Sequence, residues 1–299
     1  MKKIFCLAVL ILALTITGCS NSKNSGGKDT LKEVPSGNAN NISDFEYKQI
    51  SKDNESDVEG IEITKYVGTS ANVSIPDQID NVPVVSIGTD AFSESEIETV
   101  ILPKELKVIK NCAFLNCGNL TSIEFPESVT SLGKSSFRGT GIKEVNINVD
   151  KLNEYVFADC IFLTKVTIGK KLSDMADGCF ANCGSLTDVT MEAGIEIIPV
   201  STFEKCKVLK KFALPNSVKI IGDAAFKNCI GFEEIILSDK VEEIGAYAFE
   251  NCENMKKLDL PDSFKKMYPT TFSENMTTVL NFKGKQYSIK EMGELTSNN

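Results

Sequence analysis

The chain carries ten cysteines and no histidine, and these two counts bound its chemistry. Without imidazole there is no Ser-His-Asp or Cys-His nucleophile pair, and no His-ligated zinc, haem or copper site. Thiols alone leave disulfides or a thiolate metal site to consider. Cys6 and Cys19 fall within the first twenty residues and belong to a different argument. Six others, Cys117, Cys160, Cys183, Cys206, Cys229 and Cys252, recur at one place in a repeating unit and so point the same way from consecutive layers. Equivalent atoms of adjacent parallel strands lie ~4.8 Å apart, beyond the ~3.5–4.5 Å between the Cβ atoms of a bridge. The expectation is a ladder of reduced, buried thiols, each making a weak S–H bond to a loop carbonyl. Disulfides and a metal site remain as alternatives. Cys112 and Cys179 sit beside the repeat and are expected to be packing.

The carboxylates offer less. Asp53-Asn54-Glu55-Ser56-Asp57-Val58-Glu59-Gly60 is spaced somewhat like a calcium loop. Its glycine falls two places late for an EF-hand, and no helical pattern flanks it. An acidic hairpin turn is the better reading. Glu233-Glu234 and Glu242-Glu243 are paired acids, but glycosidase carboxylates must converge across a cleft, and nothing in the pattern builds one. No motif supports a Ser-Lys nucleophile. The chain is therefore expected to be no enzyme, with no catalytic residue, metal site or cofactor. Forty-one acids against thirty-two bases argue against a nucleic-acid partner, which needs a basic surface.

The segments that position these residues begin with an address. Lys2 and Lys3 precede an apolar run from Ile4 to Ile16, too short for a permanent membrane span of ~20 residues. It fits the apolar region of a secretory signal peptide. Ile16-Thr17-Gly18-Cys19 resembles a bacterial lipobox, which implies cleavage before Cys19 and a diacylglycerol on its thiol. Acyl chains then hold the protein at the membrane without a transmembrane helix. Residues 1–18 are thus the expected signal peptide. Residues 19–44, crowded with Ser, Asn, Gly and Lys, are the expected flexible tether.

One period governs the rest. Phenylalanines stand at 92, 114, 137, 157, 180, 203, 226, 249 and 272, mostly 23 residues apart. Five residues before each lies Ile87, Ile109, Leu132, Leu152, Met175, Ile198, Ile221, Ile244 or Met267. Eight before lies Val84, Leu106, Val129, Val149, Leu172, Ile195, Val218, Val241 or Phe264. Every site in the three rows is a large apolar residue, against 42% hydrophobic residues overall, so the register is not chance. The cysteines follow each Phe by three residues, with Ser95, Thr140 and Asn275 in the other repeats. A Leu-x-x-Ile-x-Phe strand pattern comes next, as in Leu120, Ile123 and Phe125. A unit of two short strands and one helical turn cannot bury its own apolar side; stacking neighbours into a solenoid does.

These residues resemble the BspA-like (Treponema-type) leucine-rich repeats of bacterial surface proteins. IPDQIDNVPVVSIGTDAF (Ile75–Phe92) and ALPNSVKIIGDAAFKNCIGFEEI (Ala213–Ile235) match that unit closely. The expected fold is a β-rich leucine-rich-repeat solenoid of about nine coils over residues 84–279, with parallel strands, short helical turns and β-hairpin caps. The N-terminal cap is expected over 45–83. Residues 280–299 should form a closing hairpin and a polar, frayed tail. The coil ending at Phe157 is compressed to 20 residues, and those at Phe92 and Phe137 lack the Cys and are one residue shorter before the strand. The resemblance implies a non-catalytic binding or adhesion role outside the cytoplasmic membrane.

The exposed side of the Leu-x-x-Ile strands is expected to line a concave face. Lys165, Asp188, Lys210, Lys211, Glu233, Glu234, Lys256 and Lys257 band it with alternating charge, which suits a protein ligand from a host or the cell envelope. Those strand rows contain no aromatic residue, so a carbohydrate-capture lipoprotein, which needs an aromatic platform, ranks second. The expected state is a monomer, displayed at the cell surface through its lipid anchor.

Overall fold

The computed structural model describes residues 39–51 and 59–297. The signal segment, Cys19, most of the tether and residues 53–58 of the acidic run from Asp53 to Gly60 lie outside the described residues. Strand β1 (Phe45–Ile50) pairs antiparallel with β2 (Gly60–Tyr66), forming the expected N-terminal hairpin. β2 then pairs parallel with Val82–Ile87, which seats the hairpin on the first coil.

Two rows of parallel strands run from there. One holds the position five before each Phe: Ile109 opposes Leu132, Leu152 opposes Met175, and Ile221 opposes Ile244. The other holds the Leu-x-x-Ile strands, from Asn72–Ser74 through Lys165–Ile168 and Lys211–Ala213 to Val279–Phe282. Their apolar residues alternate inward, as at Val166 and Ile168, while Lys165 points out. Each sequence row has thus become a physical column inside the coil.

The central column is phenylalanine. All nine marker rings are buried, and consecutive rings from Phe92 to Phe272 stack at centroid distances of 4.9 to 5.8 Å. Offset stacking at this spacing suits both the coil pitch and the ring quadrupoles. Tyr66 closes the column at its N-terminal end, stacked on Phe92 at 5.3 Å, with its hydroxyl donating to the Ser70 carbonyl.

The turn at Ala-Phe-x-x-Cys differs from a helical turn. Residues two before and two after each Phe from Phe92 to Phe249, such as Tyr155 and Asp159 or Tyr247 and Asn251, take left-handed φ near +60°. This conformation turns alternate N–H groups toward the next coil: Tyr155 donates to Asp177, Phe157 to Cys179 and Asp159 to Ala181. A helical turn would spend those donors within its own coil; the stacked arrangement spends them between coils.

At the C-terminal end Val279–Phe282 and Lys285–Tyr287 form the expected hairpin, turned at Lys283-Gly284 with both φ positive. The expected frayed tail is instead a helix, α1 (Ile289–Ser297), whose Met292 is fully buried. Its start is a capping box: Ser288 Oγ accepts from the Glu291 N–H, and the Glu291 carboxylate accepts from the Ser288 N–H.

Candidate functional site: the long-strand face

The six repeat thiols form the expected ladder. Each S–H donates to the carbonyl of the Phe one coil back: Cys117 to Phe92, Cys160 to Phe137, Cys183 to Phe157, Cys206 to Phe180, Cys229 to Phe203 and Cys252 to Phe226, at 2.9–3.3 Å. Ser95 and Thr140 fill the same site in two of the three coils without Cys and hydrogen-bond to the next thiol. Cys179 donates to the Asn153 and Ala176 carbonyls. All eight cysteines from Cys112 to Cys252 are free thiols. Burial pushes Cys160 up to about 11 and Cys179 and Cys252 up to about 12. The thiolate is the reactive and metal-binding form, so these groups are structural rather than nucleophilic.

The charged band sits on the long-strand row, as its spacing requires. Lys211 stands in register with Glu234, and their side chains pair at 3.0 Å; Lys210 pairs with Glu233 at 3.4 Å. Glu234 bonded to Lys211 lifts that ammonium above the usual lysine value. Lys257 pairs with Asp259, and Lys256 turns onto the Glu253 carbonyl. The amide of Asn281, with Lys257, holds the Asp259 carboxyl below its ordinary range. Lys165 and Asp188 stand opposite one another in a separate three-stranded sheet, so the eight predicted residues form two groups.

The row is interrupted between those groups and again beyond Glu234–Ile236. Where Glu234–Ile236 and Lys257–Asp259 fail to pair, a cleft of about 770 Å³ opens among Lys211, Glu233, Glu234, Lys256, Lys257 and Ile236. Ile236 is 60% exposed there, an apolar centre inside the charged band. A second cleft of about 610 Å³ lies at the other interruption, lined by Thr190, Glu192, Ala213 and Pro215. Five of the eight predicted residues therefore converge on one cleft, and Lys210 reaches its edge through Glu233.

Among the exposed aromatics outside the sequence rows, Phe162 is the most exposed. Phe162 is 56% exposed and walls a third hollow, of about 460 Å³, at the corner leading into the long strands. The signal was available: two residues after the repeat Cys, other full-length coils carry Asn119, Ser185, Val208, Gly231 or Asn254, and Phe162 is the aromatic exception.

A family model described as the BspA type leucine rich repeat region matches residues 85–210 and 196–293, in six copies. Among solved structures the chain is similar to a leucine-rich repeat protein of T. pallidum, with 25% identity and a TM-score of 0.52, over 73% of this chain and 91% of that one. It is also similar to a leucine-rich repeat protein from Bacteroides ovatus, with 24% identity and a TM-score of 0.51, over 73% of this chain and 67% of that one. No curated protein matches the chain.

Proposed function

The chain belongs to the BspA-type leucine-rich-repeat family, and from that premise we propose that it is a non-catalytic, lipid-anchored display protein that binds a protein ligand outside the cytoplasmic membrane. Cys19 is the attachment point. The observation that carries the ligand reading is the cleft at Ile236, where an exposed apolar side chain is ringed by Lys211, Glu233, Glu234, Lys256 and Lys257. An apolar centre with a polar, mixed-charge rim is the usual anatomy of a protein interface. Stacked coils fix these groups in advance, so association costs little ordering entropy. The rim pairs engage one another in the free protein, so their role is orientation and partner choice more than raw affinity.

The test is solution binding to a panel of extracellular-matrix proteins, mucins and glycans at about 0.15 M salt and again at higher salt, where screening weakens charge-led contacts. Saturable binding to one protein, lost in the Lys211→Glu/Lys257→Glu double variant, is the expected result. Binding to glycans alone, or protein binding indifferent to that variant, overturns the reading. For the anchor, Cys19→Ala is expected to move the protein from the membrane fraction to the soluble one.

A further inference from the structure

The hollow beside Phe162 has a cause in the chain. From Phe114 to Leu120 a coil takes six residues, but from Phe137 to Ile142 it takes five. The missing residue pulls Gly141 inward against the Gly118 carbonyl, so closely that a Cβ at Gly141 would collide with it. The corner of that coil is therefore recessed between its neighbours, and Phe162, from the following coil, stands at the edge of the recess.

The walls of this recess differ from those of the cleft at Ile236. Glycine backbone at Gly118 and Gly141 lies where apolar side chains would make a protein hot spot. Around it stand Glu98, Thr99, Asn119, Thr121 and Lys143, all exposed. Some are already oriented: Asn119 Nδ2 donates to Glu96 at 2.6 Å, leaving its Oδ1 free to accept. Thr99 Oγ1 donates to Asn72 Oδ1 at 2.8 Å, leaving its lone pairs for a donor. Glu98 and Lys143 are in no ion pair among the described residues and are of opposite sign, which favours neither an anion nor a cation.

We propose that this recess is a carbohydrate subsite that takes a neutral pyranose against the Phe162 ring. A pyranose presents one apolar C–H face and a rim of hydroxyls, each both donor and acceptor. The ring of Phe162 meets the first and the Asn119, Thr99, Lys143 and Glu98 groups meet the second. The hollow lies within the size range of small-ligand sites, which combine an aromatic wall with a few placed polar groups. The inference does not rest on the protein-ligand reading, which uses coils farther along the solenoid.

The test is ligand-observed NMR and titration calorimetry on the full chain with cellotriose, mannotriose and the β-1,4-linked N-acetylglucosamine trisaccharide as probes. At least one is expected to bind saturably. Phe162→Ala should weaken that binding about tenfold, the scale of one lost aromatic contact, and Phe162→Tyr should retain it. Asn119→Ala should weaken it as well, and Lys211→Glu/Lys257→Glu should leave it unchanged. Because Phe162 is exposed, an unaltered melting midpoint for Phe162→Ala shows the fold intact. No saturable binding from any probe, or binding indifferent to Phe162→Ala, overturns the proposal. A polypeptide that binds through Phe162 while the sugars do not also overturns it.

Discussion

Cys229 donates its S–H to the Phe203 carbonyl one coil back, at 3.1 Å, and both residues are fully buried. The bond ties the cysteine column to the backbone of the phenylalanine column, and it recurs in every coil that has the cysteine. Cys229→Ala leaves that buried carbonyl without the thiol donor and opens a small void, at a cost of about 1–2 kcal/mol. Cys229→Thr should cost less: it fills the void, and Thr140 in the equivalent place shows a buried hydroxyl satisfied within its own coil, its Oγ1 donating to the Phe137 carbonyl at 2.9 Å. Urea-unfolding midpoints of the two variants check this order.

The same burial predicts how the thiols titrate. Desolvation raises the folded pKa of Cys160 to about 11 and of Cys252 to about 12, from an ordinary 9.0. A raised acid contributes no penalty while both states are protonated, so stability is whole below pH 9 and falls as pH rises toward 11–12. At pH 8 a group with a pKa of about 11 is ionised in roughly one molecule in a thousand. Among the eight cysteines from Cys112 to Cys252, a thiol-specific chromogenic reagent at pH 8 should therefore modify half-buried Cys112 first. The seven others should react only when the protein is unfolded.

Glu62 gives the opposite pH dependence at the N-terminal cap. Its side chain is 4% exposed, and burial pushes its carboxyl up. The Lys110 ammonium, the Ser86 hydroxyl at 3.0 Å and Lys48 at 3.3 Å outweigh that and hold it below its ordinary 4.5. A depressed carboxylate stabilises the fold above its unfolded value, and that contribution is lost as pH falls below 4.5 through the folded value. Because β2 carries Glu62 while Lys110 and Ser86 belong to the coils, acid should loosen the hairpin before the solenoid. Glu62→Gln is expected to cost about 1–3 kcal/mol at pH 7 and to flatten the dependence below pH 5. Denaturant midpoints from pH 7 to pH 3.5 read both effects.

Burial explains which parts of this architecture were legible. A Phe that must stack on another Phe is constrained at every coil, so the period, the columns and the hairpin caps stood in the sequence. The left-handed turns were half legible. Two residues after the Phe, Asn116, Asn182, Asn228 and Asn251 are side chains that tolerate positive φ. Two residues before it, Cys112, Tyr155 and Ala224 are not, and their conformation follows from the hydrogen bonds to the next coil. Helix α1 hid because Ile289–Ser297 is mostly polar and fully buries one large side chain, Met292, although Ser288-x-x-Glu291 is a sequence-level start signal. At the long-strand face, the charged rows were legible by register. The interruption that opens the cleft at Ile236 was not, since Glu234–Ile236 and Lys257–Asp259 have the same alternating pattern as strands that do pair.

Position along the Phe column should decide what a truncation does. Phe180 stacks on Phe157 at 5.8 Å and on Phe203 at 5.6 Å, whereas among the described residues Phe272 stacks on Phe249 alone, at 5.5 Å. Coil stability is close to a sum of nearest-neighbour terms, so an interior ring couples two interfaces and a terminal ring couples one. Phe180→Ala is expected to cost about 3–5 kcal/mol, and Phe272→Ala visibly less. The location of the damage separates this from a general loss of hydrophobic burial. Amide exchange in Phe180→Ala should accelerate on both sides of the break, in the coils of Phe157 and Phe203 together. In Phe272→Ala it should accelerate at the last coil and leave the coil of Phe203 protected. Equal losses, or exchange spread evenly over the chain in both variants, would mean that the solenoid unfolds as one unit and that the column does not pass stability from coil to coil.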